Sequence, residues 1–192
     1  MIGRSILPAV LTLALVLVSC GDGSDGCWTT DTPGQLANRP SPLDSAIVIL
    51  GEEQVRVCYG RPSARERPVM DGLVRFGEIW RLGANEATSI EVPFRSRIGD
   101  VTVDPGRYSL YVVPGAESWD VTVNGMVERW GIPVDAAVRA ADIGTFSVPV
   151  EGLSQHVETL TMTFQETGSD SADLVVDWEL TRIRIPVHRL EG

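Results

Sequence analysis

Beyond Asp44, short stretches in which apolar and polar residues alternate follow one another, and turn residues separate them. Alternation with a period of two puts one set of side chains on each face of a strand, so that one face can be buried. The clearest alternating apolar sets are Val55, Val57 and Tyr59, then Leu160, Met162 and Phe164, then Leu174, Val176 and Trp178. This pattern predicts antiparallel strands rather than helices over most of the chain.

Two turn motifs mark places where neighbouring strands would be joined. In Asp104-Pro105-Gly106 the proline presets one backbone angle and the glycine accepts a positive one, and Asn124-Gly125 is a strong hairpin signal. About nine strands at this spacing favour an all-β, antiparallel β-sandwich of jelly-roll-like form. We expect this single domain to occupy residues 45–192, with at most one short helix, in the alanine-rich segment 133–141.

The N-terminus has the features of a lipoprotein signal peptide. A positively charged start that ends at Arg4 precedes an apolar run over residues 6–18, and the small residue Ser19 precedes Cys20. The apolar run is shorter than the roughly 20 residues that a membrane-spanning helix needs. The sequence therefore predicts a signal peptide over residues 1–19 and lipidation of Cys20. An ordinary cleaved signal peptide, with Cys20 incidental, is the alternative.

The residues after Cys20 bear on where the protein is sent. Gly21 follows the cysteine, and without an aspartate at that position the usual destination in a diderm cell is the outer membrane. Asp22 and Asp25 leave export to the cell surface open. We expect a cell-envelope protein that is held at the membrane through its lipid anchor.

The segment that follows is small and polar in composition. Residues 20–44 show no apolar period, so the sequence predicts a flexible tether in which Cys27 and Trp28 are the residues that could dock back on the domain. If Cys20 carries lipid, Cys27 and Cys58 remain as a pair in an oxidising compartment. A disulfide between them and two free thiols both remain open, because spacing alone does not fix bridge geometry.

Charge and missing motifs exclude several functions. The formal net charge of -10 argues against nucleic acid and anionic lipid surfaces as partners and leaves neutral or cationic ligands. His156 and His188 are 32 residues apart, which is not a metal-binding spacing. The chain has no Gly-x-Ser-x-Gly elbow, phosphate loop or dinucleotide fingerprint. We therefore expect no metal and no cofactor.

The segment from residue 59 to residue 88 lacks a strand pattern and is rich in arginine, glycine and proline. Long loops in compact domains tend to be functional. Charged and amide side chains beside a flat aromatic ring suit a small polar molecule or a sugar. The candidate ligand-binding residues are Arg61, Trp80, Arg81, Asn85 and Glu86. The alternative is that these groups hydrogen-bond the loop to itself.

The same loop carries a family resemblance. The motifs are Tyr-Gly-Arg-Pro-Ser at 59–63, Trp-Arg-Leu-Gly-Ala-Asn-Glu-Ala-Thr at 80–88 and Pro-Gly-Arg-Tyr-Ser-Leu at 105–110. Together with Trp130-Gly131, His156-Val157-Glu158 and Trp178, they resemble the bacterial envelope family called domain of unknown function 2911. The resemblance spans roughly residues 45–187 and implies a secreted, often lipid-anchored β domain. It assigns no activity and no catalytic residue.

Three functions are compatible with the sequence. The first is a noncatalytic, lipid-anchored protein that binds a small polar ligand or an envelope partner through the loop at 59–88. The second is a secreted hydrolase that uses Glu86 as acid or base, with Asn85 or Arg81 stabilising developing charge. The third is a purely structural envelope component whose loop is packed shut.

Overall fold

The computed structural model describes residues 26–191. The predicted signal peptide and Cys20 lie outside the described residues. In chain order the elements are α1 (Pro33–Asn38), β1 (Leu43–Leu50), β2 (Glu53–Gly60), β3 (Thr88–Val92), β4 (Ser96–Ile98), β5 (Val101–Val103), β6 (Gly106–Pro114), β7 (Ser118–Asn124), α2 (Ala136–Arg139), β8 (Asp142–Gly168) and β9 (Ser171–Arg189). Within this range no helix is long and apolar enough to cross a bilayer.

The strands of the described range form one nine-stranded sheet in the order β1-β2-β3-β6-β7-β8-β9-β4-β5. Neighbouring strands are antiparallel, and the order is open, with β1 and β5 at its edges. The structure thus confirms the predicted all-β class, the antiparallel pairing and the number of strands. The finer prediction of a jelly-roll-like sandwich is not settled by this strand order and stays a prediction.

The long hairpin formed by β8 and β9 doubles back on itself. The first part of β8 pairs with β7 as far as Pro149, and from Val150 onward β8 pairs with β9. A straight strand from Ser171 to Arg189 would be about 60 Å long. Yet the backbone N–H of Arg189 donates to the carbonyl oxygen of Asp170, at 2.8 Å. The end of β9 therefore returns to the level of its beginning.

The alternation read from the sequence describes the buried face well. Val57, Ile90, Leu110 and Val123 on four neighbouring strands belong to one hydrophobic core. A second set of paired residues crosses the same strands and alternates with the core residues, and it consists of Ser45, Cys58, Ser89, Ser109 and Asn124. Residues directly opposite on paired strands share a face, so this row points away from the core. We call this side of β1, β2, β3, β6 and β7 the outer face.

Among residues 26–191 two short helices are present where at most one was expected, and this expectation was wrong. α2 lies within the predicted segment, and Asp135 caps it by accepting hydrogen bonds from the backbone of Ala137 and Val138. The additional helix, α1, begins with Pro33, and Gln35 accepts a hydrogen bond from the backbone N–H of Thr32. These are helix-starting features. Six residues are too few to show a helical apolar period, so the pattern missed α1.

A flexible tether was expected over residues 20–44, of which residues 20–25 lie outside the described residues. From Gly26 onward this part of the chain contains α1 and the start of β1 at Leu43, and it packs against the sheet through specific side-chain contacts. We call residues 26–42 the strap.

Candidate functional site

A disulfide joins the strap to the sheet. It links Cys27 to Cys58, which are 31 residues apart in the chain. Cys58 lies on the outer face of β2, turned away from the core residues Val55 and Val57, so a cysteine in the strap can reach it. Of the two alternatives left open by the sequence, the structure has the bridge.

A second connection is made by a buried carboxylate. Glu86 is only 3% exposed, and the guanidinium of Arg39 in the strap donates to both of its oxygens, at 2.9 and 2.8 Å. The hydroxyl of Thr29 donates to one of the same oxygens, at 2.6 Å. Arg39 also pairs with Asp31, at 3.1 Å. Two-pronged arginine–carboxylate pairs are among the stronger and more geometrically specific hydrogen-bonded pairs.

These contacts control the charge of Glu86. Burial by itself favours the neutral form of the carboxyl, but the hydrogen bonds from Arg39 and Thr29 outweigh it, and the pKa of Glu86 is lowered. A group that acts as a general acid near neutral pH needs its proton there, which usually requires a raised pKa. Glu86 is instead a carboxylate whose oxygens are bound by the protein itself.

Two other predicted ligand-binding residues are also bound to the protein. Arg61 pairs with Asp44 at 3.0 Å, and its Nε donates to the carbonyl oxygen of Leu160, at 3.3 Å. The side-chain amide of Asn85 donates to the carbonyl oxygen of Ser41, at 3.2 Å. Arg61, Asn85 and Glu86 are thus brought together, but around residues 29–44 of the same chain.

The remaining two predicted residues are placed differently. Trp80 stacks on Trp178 with ring centroids 5.7 Å apart and meets the edge of Trp119 at 5.8 Å. Both partners belong to the core, so Trp80 packs as part of an aromatic cluster. Arg81 donates from Nε to the carbonyl oxygen of Gly83, and burial lowers the pKa of its guanidinium.

A groove lies in another part of the fold, where the turn between β4 and β5 meets β8 and β9. Its volume is about 470 Å³. Gly99 in the turn has a φ of 55°, and a Cβ at this position would lie 2.2 Å from the ring of Phe146. Glycine therefore lets the turn rest directly on the aromatic ring. Phe146 and Pro186 supply apolar surface to the groove.

Unpaired polar side chains also line this groove. Arg97 on β4 lies opposite His188 on β9, and Asp100 lies in the turn. Arg184 on the same wall is already bound, to Glu151 at 2.9 Å and to a glutamine on β8. Among residues 26–191, the side chains of Arg97, Asp100 and His188 make no hydrogen bond or ion pair, so these groups are available to a ligand.

Sequence reasoning did not find this groove. Of its residues only His188 was weighed as a functional residue, and it was set aside because it has no metal-binding spacing. Arg97, Phe146 and His188 are far apart in the chain, and they meet only because the β8–β9 hairpin doubles back. The only local signal was the Gly99-Asp100 pair, which marks a turn.

The part of the chain that the structure describes contains no preformed metal site. No cluster of three or more histidine, cysteine, aspartate or glutamate side chains there is arranged to hold an ion.

A family model described as "Protein of unknown function (DUF2911)" matches residues 41–187. The matched range contains Glu86 and the residues of the groove except His188, which lies one position beyond it, whereas nearly all of the strap precedes it. No curated protein and no solved structure matches the chain.

Proposed function

The chain belongs to the DUF2911 family, whose function is unknown, and on that premise we propose a noncatalytic cell-envelope protein that binds a small polar ligand in the groove at the β4–β5 turn. The observation that carries the proposal is the convergence of unpaired Arg97, Asp100 and His188 on a cavity with an apolar floor. Binding sites for small molecules commonly combine a largely apolar wall with a few convergent polar groups.

The groove favours a ligand with both donors and acceptors. Its volume of about 470 Å³ lies within the range of about 300–1,000 Å³ that is common for small-molecule sites. Arg97 can donate to a carboxylate or a hydroxyl, and Asp100 can accept from an ammonium or a hydroxyl. Phe146 offers an apolar surface for a ring. A sugar or a zwitterion fits this set better than a strongly anionic molecule, because the protein is itself acidic.

The structure argues against the alternative of a hydrolase that uses Glu86 as acid or base. Glu86 would need a free oxygen to accept or deliver a proton, but Arg39 and Thr29 bind its carboxylate. The alternative of a purely structural component has one observation in its favour. The polar groups predicted to bind a ligand, in Arg61, Asn85 and Glu86, are used inside the protein.

Two further parts of the proposal concern the membrane and the architecture. The motif that ends at Cys20 supports a lipid anchor, with the outer membrane as destination. The contact between Arg189 and Asp170 supports an arrangement of two packed layers, because the β8–β9 hairpin must turn back over the sheet to make it.

Binding is tested by calorimetric titration of the protein with three probes, namely glucose, glucosamine and glutamate. We expect one of them to bind, and we expect Asp100→Asn or Arg97→Gln to weaken that binding about tenfold or more, as loss of a charged hydrogen bond does. Asp104→Asn is the matched control because this exposed acid lies outside the groove. Absence of binding by all three at millimolar concentration would overturn the proposal and favour the structural alternative.

A further inference from the structure

The connection between the predicted lipid and the folded domain is short. The predicted tether ran to residue 44, but the disulfide holds the chain at Cys27. Cys27 is seven positions after Cys20, and a fully extended chain of this length spans at most about 25 Å. If Cys20 is acylated, as proposed above, the side of the domain that carries Cys58 must stay close to the membrane.

That side of the domain exposes apolar side chains. Ile47 and Ile49 follow Ser45 on β1 at intervals of two and therefore share the outer face. The loop after β7 covers the same face, because the hydroxyl of Ser109 donates to the carbonyl oxygen of Met126. The large hydrophobic residues exposed on this face and its covering loop are Ile47, Ile49, Met126, Trp130, Ile132 and, at the start of β8, Ile143.

The loop and the strap are neighbours on this face. Trp130 forms an isolated antiparallel bridge with Glu86, and the N–H of Gly131 donates to the carbonyl oxygen of Asn85, at 2.7 Å. Glu86 is the residue that Arg39 of the strap binds. Cys58 and Asn124, where the strap and the loop meet the sheet, are three strand spacings apart, or about 14 Å. The exposed Trp130 therefore lies beside the point at which the chain leaves towards Cys20.

We propose that the outer face, with Trp130 and Ile132, contacts the surface of the membrane that holds the lipid anchor. Tryptophan is favoured at the boundary between headgroups and acyl chains. The net charge of -10 makes zwitterionic rather than anionic headgroups the fitting partner. Because the anchor already keeps the domain at the surface, a few apolar contacts are enough to orient it.

The proposal rests on the lipid anchor proposed above. It is tested on the mature acylated protein in phosphatidylethanolamine–phosphatidylcholine vesicles. The acyl chains of these lipids are brominated, and bromine quenches the fluorescence of a tryptophan that contacts them. One variant carries Trp130→Phe with Ile132→Trp, and the matched control carries Trp130→Phe with Leu180→Trp. Ile132 and Leu180 are 52% and 51% exposed, but Leu180 lies on β9, away from the outer face. The other tryptophans are the same in both.

We expect brominated lipid to quench the fluorescence of the Ile132→Trp variant at least twofold more than that of the Leu180→Trp control. Equal quenching of the two, with acyl chains present, would overturn the proposed orientation and leave the anchor standing. It is also the result expected if another protein covers this face. Mass spectrometry of the mature N-terminus tests the anchor itself, and a product without acyl chains would remove both proposals. Thermal melts of both variants check that each is folded.

Discussion

Arg39 and Glu86, 47 residues apart in the chain, form a two-pronged ion pair whose side chains are 7% and 4% exposed. The pair closes the strap over the segment that precedes β3. A buried ion pair adds little compared with apolar residues of the same shape, but removal of one partner leaves the other charge buried and uncompensated. The energetic importance of this contact should therefore appear when it is broken.

We predict that Glu86→Gln lowers the free energy of unfolding by about 3 kcal/mol, because the buried Arg39 loses its two-pronged partner and keeps only Asp31 as a counter-charge. Urea denaturation measures the change. The control is Glu128→Gln, which removes an exposed acid paired with Arg107 and should cost about 1 kcal/mol or less. If Glu86→Gln were as mild as the control, Glu86 would not be a structural residue and a ligand-binding role would return.

The same carboxylate predicts a pH dependence. The pKa of Glu86 in the folded protein is lowered from its ordinary value of 4.5, so its contribution to stability is complete above that value. The contribution is lost as the pH falls through the lowered folded pKa. The stability difference between the wild type and Glu86→Gln should therefore shrink below pH 4.5. Denaturation series at several pH values measure this gap, and a gap that widens on acidification would contradict the assigned contacts.

Loss of the disulfide should loosen the strap before the sheet. We predict that Cys27→Ser combined with Cys58→Ser costs about 3 kcal/mol, the typical effect of opening a loop of this length. Hydrogen exchange should become faster over residues 27–42 and stay slow in β6 and β7, because the sheet keeps its own pairing. Equal acceleration in all these segments would show that the bridge supports the whole domain rather than the strap.

Gly99→Ala tests the floor of the groove. Alanine at a positive φ costs about 1 kcal/mol, and the clash with Phe146 adds overpacking of about 1–3 kcal/mol. Gly77→Ala is the matched control, since Gly77 also has a positive φ but a Cβ there would meet nothing within 4 Å. We expect the control to show the conformational cost alone, and ligand binding to be lost only in Gly99→Ala. Similar stability losses in both would mean that the turn does not rest on Phe146.

The strands and the core could be predicted because their signal is local. Val55, Val57 and Tyr59 are two residues apart, and each is buried, as the period of two requires. The tight hairpin predicted at Asn124-Gly125 is not found, because β7 ends at Asn124 but β8 begins only at Asp142, after a loop and α2. The apolar–polar alternation is contained in a few consecutive residues, so it can be read without knowledge of the rest of the fold.

The docking of the strap had no such local signal. The small and polar residues of the strap would be equally compatible with a flexible segment and with one that packs against the sheet. The residue that binds Arg39 is 47 positions away in the chain. Glu86 was predicted to bind a ligand or to act as an acid or base, but in the structure its carboxylate is bound by Arg39 of the strap. The groove was missed for a related reason, because Arg97 and His188 meet through the doubled-back β9.

The place of β9 in the sheet constrains how the protein can mature. In the described sheet β4 and β5 are hydrogen-bonded to the other strands only through β9, although they precede it by some seventy residues in the chain. Pairing between segments so distant in sequence forms late. If the chain is exported as proposed, a polypeptide that is still crossing a membrane therefore lacks the turn around Gly99 in its final place. The proposed ligand pocket would then form only after translocation is complete, and the protein would bind no ligand before that point.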